Sequence, residues 1–347
     1  MGTQLHTFTQ PLLAWYDVFG RKELPWKHPV DAYRIWLSEV MLQQTQVKTV
    51  IPYFLRFVER FPNIDSLANA QEDEVLSMWS GLGYYSRGRN LHQTAQMITR
   101  QYNSLFPRDI QTLVQFPGIG PSTAAAIASQ AFNQPTAILD GNVKRVLSRF
   151  FMIDDVSGQT EHRLWERAQE CMSQERPADY TQAIMDLGAT LCTSKNPQCS
   201  TCPLNPACLA HLHGVVNNYP SKKIKKERPN QYQQFLLICN ESNEIFLEKR
   251  PPKGVWGGLW CTPSIDMNID ARWFVETTYS YQVLNIQPLI NIKHTFTHFR
   301  LHINALSIHI KHLPNDNQNG WFSHSQTIKL GLARPISDMI EQFYGTL

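Results

Sequence analysis

Long hydrophobic runs are missing from this sequence of 347 residues, in which no stretch of about eighteen apolar residues occurs. The N-terminus, MGTQLHTFTQPLLAWYDVFG, also lacks the basic start and the small-residue cleavage site of a secretion signal. These absences argue against a membrane partner and predict a cytoplasmic protein. With 42% hydrophobic and 18% charged residues, the chain has the composition of a globular protein with two domains of ordinary size.

A large excess of one charge is missing too, since the formal net charge is only +3. The segment SKKIKKERPN, residues 221–230, carries five Lys or Arg against one Glu, an excess of +4, and without it the chain would be near −1. Such a run is typical of a solvated linker and equally of a contact with phosphate. Both interpretations stay open from the residues alone, and one segment can serve both.

The apolar pattern divides the chain in two. From Leu5 to about Cys208, apolar residues recur at helical spacing, as in AYRIWLSEVMLQQ and VKTVIPYFLRFVERF, which predicts an all-α part. Beyond the basic segment, QFLLIC, the polar NESNE and IFLEKR indicate a β-hairpin, and THFRLHINALSIHI alternates as a strand does. ISDMIEQFY predicts a closing helix. The predicted fold class is therefore multi-domain, all-α followed by α+β.

Four of the seven cysteines are concentrated in one short segment, CTSKNPQCSTCPLNPAC. Without a secretion signal, a metal is a better explanation for them than disulfides. Four thiolates can hold zinc or an iron–sulfur cluster, and the long first gap of the C-x6-C-x2-C-x5-C spacing favours a [4Fe–4S] cluster without excluding zinc. The predicted ligands are Cys192, Cys199, Cys202 and Cys208.

The stretch FPGIGPSTAAAI, from Phe116 to Ile127, predicts a helix, a Pro-Gly turn and a second helix. Gly118 and Gly120 let the backbone come close to a partner, and the amides at the start of the next helix suit a phosphate. The same turn is also what any helical hairpin needs to reverse direction. No strand precedes it and it holds no P-loop lysine, so a nucleotide loop is excluded.

These motifs, with ILDGNVKRV after the hairpin, stand in the order found in the endonuclease III-like helix-hairpin-helix DNA glycosylases. The stretches WLSEVMLQQTQV and GLGYYSRGRNL and the extra C-terminal part resemble the adenine DNA glycosylases of MutY type. The resemblance covers nearly the whole chain. It implies a monomeric enzyme, nucleoid-associated when bound to DNA, that removes adenine mispaired with 8-oxoguanine from double-stranded DNA.

The family fold implies the domain boundaries. An all-α catalytic domain is expected over residues 1–218, with a six-helix barrel lobe at about 24–136 and an iron–sulfur lobe built from 1–23 and 137–218. A basic linker is expected over 219–230. A Nudix-like domain that recognises the lesion is expected over 231–347.

Cleavage of an N-glycosidic bond needs an acid for the leaving base and an anion for the sugar. Glu39 lies among apolar helical neighbours in IWLSEVML, and burial there keeps a carboxyl protonated near neutrality, so the resemblance implies that it protonates adenine at N7. Asp140 precedes a helix, whose amides are expected to keep it ionised opposite the sugar. Asn142 is expected to bind phosphate or to orient the reacting group. Ser122 stands where lyase relatives carry a nucleophilic lysine, which predicts a glycosylase without β-lyase activity.

Further roles follow from the resemblance. The adenine pocket is expected to comprise Trp26, Lys27, Leu42 and Gln182, where Lys27 replaces the arginine common in relatives. Gln44 and Tyr84 resemble the wedges that fill the gap left by a flipped base, and Gly118 and Gly120 the amides that bind a DNA phosphate.

The C-terminal half resembles a Nudix fold around GVWGGLW but lacks the glutamate-rich Nudix box, which predicts a binding module and not a hydrolase. HTFTHFRL resembles the loop that reads 8-oxoguanine, with Thr297 in place of the usual serine between Phe296 and His298. Thr45 is expected to share in that recognition. The alternatives are a pyrimidine or thymine mismatch glycosylase, a non-catalytic iron–sulfur DNA-binding protein and a Nudix hydrolase.

Overall fold

The computed structural model describes residues 5–153, 159–221, 227–311 and 320–346. Most of the predicted basic contact, residues 222–226, therefore lies outside the described part of the chain. Within that part, no helix has the length and apolar character needed to cross a membrane.

The described residues form two compact units. One takes in those of Met1–Asn69 and Gln93–Ile224, and the other those of Ala70–His92 and Lys225–Leu347. Residues 70–92 therefore pack with the C-terminal unit, although they lie within the helical half of the sequence. The predicted fold class, helical and then α+β, is confirmed. The domain boundaries implied by the resemblance stay a prediction.

The helices, in chain order, are α1 (Gln10–Phe19), α2 (Ala32–Leu42), α3 (Val47–Arg60), α4 (Ile64–Ala68), α5 (Glu72–Trp79), α6 (Ser86–Tyr102), α7 (Ile110–Leu113), α8 (Pro121–Phe132), α9 (Gly141–Phe151), α10 (Thr160–Cys171), α11 (Pro177–Thr190), α12 (Leu209–Leu212), α13 (Ala271–Thr278), α14 (His324–Thr327) and α15 (Arg334–Tyr344). Single 3₁₀ turns occur at Pro25–Lys27, Cys199–Thr201, Asn205–Ala207 and Val216–Asn218, and a π-helical turn at Leu5–Thr9.

Short polar side chains fix several helix starts. Asp31 accepts a hydrogen bond from the Arg34 amide at 2.8 Å and so caps α2, the helix that carries Glu39. Asp140 caps α9 in the same way, through the Val143 amide at 2.7 Å. Such a cap stabilises a helix by about 1 kcal/mol. The two predicted catalytic residues therefore lie on helices whose starts are well defined.

One apolar core of the helical unit joins distant parts of the sequence. Phe8 and the buried face of α1 pack in one cluster with side chains of α9, α10 and α11 and with Leu204 in the cysteine segment. The cysteine segment is therefore anchored on the helices that also carry Asp140.

The strands are β1 (Asn230–Cys239), β2 (Ile245–Phe246), β3 (Glu248–Lys249), β4 (Trp260–Cys261), β5 (Ser264–Asp266), β6 (Gln282–Thr295), β7 (Arg300–Lys311) and β8 (Trp321–Phe322). The main sheet has the order β6-β7-β1-β2-β8, with β5 also paired to β1, and β3 pairs with β4 separately. β1 and β7 are parallel, whereas the other pairs are antiparallel. The hairpin predicted at NESNE is confirmed, with Cys239 opposite Ile245.

β1 is buried on both faces, as its uninterrupted apolar run indicates. Alternate residues of the strand enter two different clusters, one containing α15 and the other α13. Leu76 of α5 is fully buried in the first of these clusters. Residues 70–92 are therefore part of the hydrophobic core of the C-terminal unit.

Candidate active site and lesion cleft

The helical unit contains a deep cleft whose walls come from α2, α8, α9 and α11. We name it the acid cleft. Among its lining residues are most of those predicted from the sequence for the chemistry and the base: Trp26, Glu39, Leu42, Gln44, Thr45, Ser122, Asp140, Asn142 and Gln182. Residues far apart in the chain thus meet around one space.

Glu39 occupies a position that favours the protonated acid. Burial and, to a smaller extent, the negative charge of Asp140 raise its pKa, a hydrogen bond from Gln130 opposes them, and the result is a pKa of about 7. The Gln130 Nε2 lies 3.3 Å from Glu39 Oε1. The predicted rise in pKa is confirmed, because the apolar face of α2 is buried as its spacing indicates.

Asp140 is held by the start of α9. Its Oδ1 accepts the Val143 amide at 2.7 Å, and its Oδ2 accepts Nδ2 of Asn142 at 3.4 Å. The helix-start donors lower the pKa of Asp140, in the direction that favours the ionised form as expected, but burial is the larger effect and raises the pKa overall. The amides therefore offset part of the cost of burying the carboxylate.

A polar chain runs from Asp140 to the cysteine segment. Asn142 donates to Asp140 and accepts at Oδ1 from the Arg145 guanidinium at 2.8 Å. Arg145 also donates to the carbonyls of Gly188 and Cys192, each at 2.7 Å. At Gly188 any Cβ would meet the Asn142 side chain at 2.7 Å, so a larger residue would displace it. Of the two roles expected for Asn142, these contacts match orientation.

The hairpin turn has the predicted geometry, with α8 opening at Pro121. Gly118 has φ +79°, a conformation that favours glycine, and both Gly118 and Gly120 are exposed. Ser122, in the first turn of α8, accepts the Leu139 amide at 3.2 Å through its hydroxyl. The serine thus holds the segment before Asp140 by a hydrogen bond, and its side chain offers no amine at this position.

Of the four residues predicted to bind adenine, three line the acid cleft and Lys27 does not. Trp26 is buried edge-to-face against Phe54, with ring centroids 5.5 Å apart, and still lines the acid cleft. Gln182 donates Nε2 to the buried Asp186 at 2.7 Å. Lys27 is absent from the residues that line the cleft and donates instead to the Tyr16 hydroxyl at 2.7 Å.

Asp186 controls how Gln182 is turned. Its side chain is fully buried and paired with Arg21 at 2.8 Å. A carboxylate only accepts hydrogen bonds, so it faces the amide nitrogen of Gln182 and leaves the amide oxygen on the other side. The cleft wall at Gln182 is therefore fixed by a charged pair behind it, which sequence spacing did not predict.

Both predicted wedges have left-handed backbone conformations that non-glycine residues seldom adopt. Gln44 has φ 59° and Tyr84 has φ 48°. Such conformations cost about 1–3 kcal/mol each and are typical of functional turns. Gln44 lies in the turn after α2 together with Thr45, and both line the acid cleft. The Tyr84 side chain is 44% exposed, which excludes a core role for this aromatic ring.

The C-terminal unit has a second cleft, which we name the aromatic cleft. It is lined by Tyr84, Trp256, Phe296, Thr297 and His298, among others. The Phe296 ring stands 5.7 Å from that of Trp256. The loop predicted to read the lesion thus shares a cleft with the predicted tyrosine wedge, whereas Thr45 lines the acid cleft of the helical unit.

Two arginines, neither singled out from the sequence, hold the turn that carries Tyr84. The buried Arg87 donates to the carbonyls of Leu82 and Gly83, at 3.1 and 3.2 Å, and lies 5.4 Å from the Tyr84 ring centroid. Arg89 donates to the carbonyls of Gly257 and Pro252 in the loop before β4. The signal that could have found them is their sequence, SRGR, directly after the turn.

The four predicted metal ligands line one cavity and none forms a disulfide. Burial, with a smaller contribution from the charges of the other three cysteines, raises the pKa of the Cys202 thiol to about 12, so the sulfurs share one electrostatic site. Among the described residues, no group of three or more His, Cys, Asp or Glu side chains converges to hold a metal ion. Four thiolates around one cavity are a donor set that suits either a zinc ion or an iron–sulfur cluster.

Two family descriptions match the chain. Residues 37–170 match the HhH-GPD superfamily of base excision DNA repair proteins. Residues 234–342 match the NUDIX domain. The first match spans Glu39 through Asp140, and the second covers the sheet and the loop from His294 to His298.

Similarity over most of this chain extends to bacteria and animals. The adenine DNA glycosylase of Buchnera aphidicola subsp. Baizongia pistaciae is 40% identical over 96% of this chain and 95% of that protein. The adenine DNA glycosylase of Homo sapiens is 34% identical over 86% of this chain and 66% of that protein.

Two solved structures share the helical fold. The superposition on a thermostable thymine-DNA glycosylase covers 61% of this chain and 98% of that protein's chain, with TM-score 0.55 and 24% identity. Endonuclease III in a non-covalent DNA complex covers 62% of this chain and 98% of its own, with TM-score 0.53 and 21% identity. At these identities the likeness shows the fold alone.

Proposed function

Because this chain belongs to the adenine DNA glycosylases of base excision repair, we propose that it removes adenine paired with 8-oxoguanine or guanine from double-stranded DNA and leaves the strand intact. The observation that carries the proposal is the pair of partly buried carboxyl groups with raised pKa values, Glu39 and Asp140, on the walls of one cleft. Glu39, with a pKa of about 7, is the acid, and Asp140 is the anion.

Glu39 transfers its proton to N7 of the flipped adenine. The C1′–N9 bond then breaks, and both of its electrons leave with the base, so that adenine departs neutral. A general acid of this kind contributes about 10²–10⁴-fold to the rate. The pKa of about 7 supports this role, because a normal carboxyl group would hold no proton at neutral pH.

Asp140 faces the positive charge that develops on the sugar. Asn142 and the Val143 amide keep its carboxylate oriented. Water then adds to C1′ and gives its proton to the carboxylate of Glu39, which restores the acid. Ser122 has no amine that could attack C1′, so the product is an abasic site in an unbroken strand.

The base reaches Glu39 only after it leaves the stack, at a cost of a few kcal/mol. Trp26, Leu42 and Gln182 enclose it, and Lys27 supports this wall from behind through Tyr16. Gln44 and Tyr84 fill the space in the duplex, and the amides near Gly118 and Gly120 bind one phosphate beside the flipped nucleotide.

The aromatic cleft reads the opposite base. Phe296 offers a ring for stacking, while Thr297 and His298 offer polar atoms, with Thr297 Oγ1 3.3 Å from His298 Nδ1. Thr45 contributes to the same recognition from the helical unit. The C-terminal unit binds and does not hydrolyse, because its sequence lacks the carboxylate run of a Nudix hydrolase.

The cysteines Cys192, Cys199, Cys202 and Cys208 would hold a [4Fe–4S] cluster, which supplies a rigid centre for the loop and electron-transfer capacity. Arg145 and its hydrogen bond to the Cys192 carbonyl tie this loop to the start of α9. We further propose a monomer that acts in the cytoplasm on nucleoid DNA, with domains at 1–218 and 231–347 joined by the basic linker.

A base-release assay tests the function. Duplexes with adenine opposite 8-oxoguanine, guanine or thymine are incubated with the enzyme, and the products are read with and without alkaline cleavage. We expect adenine release opposite 8-oxoguanine and guanine, and strand breaks only after alkali. The adenine–thymine duplex is the control for ordinary pairs.

Two outcomes would contradict the proposal. Strand breaks at purified abasic DNA without alkali, beyond the spontaneous rate, would show a lyase. Release of thymine or another pyrimidine in place of adenine would favour the mismatch glycosylase alternative.

A further inference from the structure

Gln130 lies beneath the acid cleft and touches Glu39 from another helix. It is on α8, 7% exposed, and its Nε2 lies 3.3 Å from Glu39 Oε1. Among the described residues, its Oε1 has no hydrogen-bond partner, although the atom is buried. A buried amide oxygen without a partner costs free energy, which makes this side chain a feature to explain.

The amide can pair with either form of Glu39. A carboxylate accepts only, so it faces the Nε2 of Gln130, whereas an amide turned by half a rotation would present Oε1 to a carboxyl O–H. In the observed orientation the amide donates to Oε1. A carboxyl group that accepts at Oε1 carries its own proton on Oε2.

We propose that Gln130 is a positioning residue for the acid: by donating Nε2–H to Oε1 of Glu39, it leaves the acidic proton on Oε2, from which it is transferred into the cleft. The inference rests on the proposed function, in which Glu39 is the acid. Sequence pattern did not indicate this residue, because it stands in the apolar helix AAAIASQAF.

The same hydrogen bond affects the titration of Glu39. Gln130 stabilises the carboxylate, which opposes the increase in pKa caused by burial and by the charge of Asp140. Arg21 and Lys48 are further charged residues on the cleft walls. Removing the amide, with these charges unchanged, therefore raises the pKa of Glu39 and lets its proton occupy either oxygen.

The experiment measures single-turnover adenine release against pH for the wild type and for Gln130→Met, which keeps the length of the side chain without the amide. We expect the midpoint of the alkaline decline to rise by about half a unit to one unit, and the acid plateau to fall by about threefold. Gln96→Leu is the matched control, since Gln96 is a partly buried helical glutamine that bonds to the Ala68 carbonyl outside the cleft. Should Gln130→Met fail to fold, Gln130→Asn withdraws the amide from Glu39, and the same shift is expected.

A midpoint that stays or falls in the folded variant, or an unchanged acid plateau, overturns the inference. Glu39→Gln, assayed in parallel, distinguishes a failure of the proposed acid from a failure of the proposed role of Gln130. If Glu39→Gln still releases adenine at the wild-type rate, the proposed acid is wrong. If Glu39→Gln is inactive while the pH profile of Gln130→Met matches the wild type, only the role of Gln130 fails. Thermal unfolding of each variant shows whether it is folded.

Discussion

The acid cleft and the aromatic cleft are built from different chemistry. The acid cleft is lined by two carboxyl groups whose pKa values are both raised, mainly by burial. The aromatic cleft is lined by rings and by the partly buried His294, whose pKa is lowered by burial, so that its imidazole stays neutral near neutral pH. A change in pH around 7 therefore alters the charge of Glu39 in the acid cleft, whereas His294 in the aromatic cleft stays neutral.

This difference separates two tasks. In the proposed reaction a proton moves in the acid cleft, so position and protonation state determine the rate there. In the aromatic cleft, flat surfaces and a few polar atoms face a partner, and stacking and shape determine the affinity. Variants of the two clefts should therefore differ in kind as well as in size.

The largest effect is expected from the acid cleft. Glu39→Gln keeps the shape of the side chain but removes the proton, so adenine release should fall by about 10²–10⁴-fold while DNA binding persists. Single-turnover kinetics and a DNA-binding titration measure the two quantities. Glu59→Gln, at an exposed position of α3, is the control. Adenine release by Glu39→Gln at the wild-type rate would mean that the acid cleft does not supply the proton and would contradict this difference between the clefts.

The second prediction concerns pH. Because the protonated form of Glu39 is required and its pKa is about 7, release should reach a plateau below that value and fall again only at the lower pH at which Asp140 becomes protonated. Above the pKa of Glu39, the rate should fall about tenfold for each unit of pH, since the acid form is then progressively lost. A Phe296→Ala enzyme should decline at the same midpoint. A midpoint near the ordinary glutamate value would contradict the assignment of the acid.

A smaller effect is expected from the aromatic cleft. Phe296→Ala removes a ring, and a stacked base is worth about 1–3 kcal/mol, so the preference for 8-oxoguanine over guanine should fall by about tenfold. The ratio of release rates from the two duplexes measures this preference. Phe274→Ala, in the apolar cluster on the opposite face of the sheet, is the control. An unchanged ratio would contradict the assignment of lesion recognition to this cleft.

The smallest effect is expected from the support of Tyr84. Arg87→Met removes the donors to Leu82 and Gly83 and the cation beside the ring, so the same preference should fall about threefold. If Arg87 acts through Tyr84, the double variant with Tyr84→Ala should be no worse than Tyr84→Ala alone. Arg100→Met, exposed at the end of the same helix, is the control. Additive losses would mean that Arg87 acts independently of the wedge.

Local pattern was sufficient for several features. Helical spacing placed Glu39 on a buried face, since apolar neighbours on one helix share one side whatever packs against it. The position of Asp140 before a helix identified an N-cap, because capping depends on the adjacent turn alone. The alternation in THFRLHINALSIHI likewise predicted β7, although the long partner strand β6 was not recognised.

Contacts between distant segments were beyond that pattern. Gln130 contacts Glu39 from another helix, and no periodic pattern of polar residues on that helix indicates the contact. Asp186 bonds to Gln182 and forms an ion pair with Arg21, which is distant in the sequence. The net rise in the Asp140 pKa was not predicted either, because the effect of burial, which only the tertiary fold sets, exceeds the opposing effect of the helix-start donors. Sequence indicates that a face is buried, but not what covers it.

The burial of Leu76 has a consequence for biosynthesis. Helix α5 is made early, yet the apolar side chains that cover Leu76 belong to strands and helices near the other end of the chain. Since ribosomes add about 5–20 residues per second, the helix waits on the order of ten seconds before its partners exist. The turn with Tyr84 can therefore reach its final environment only after the whole polypeptide has been synthesised, so a chain released early would carry Glu39 and Asp140 without the apolar cluster that this turn packs with.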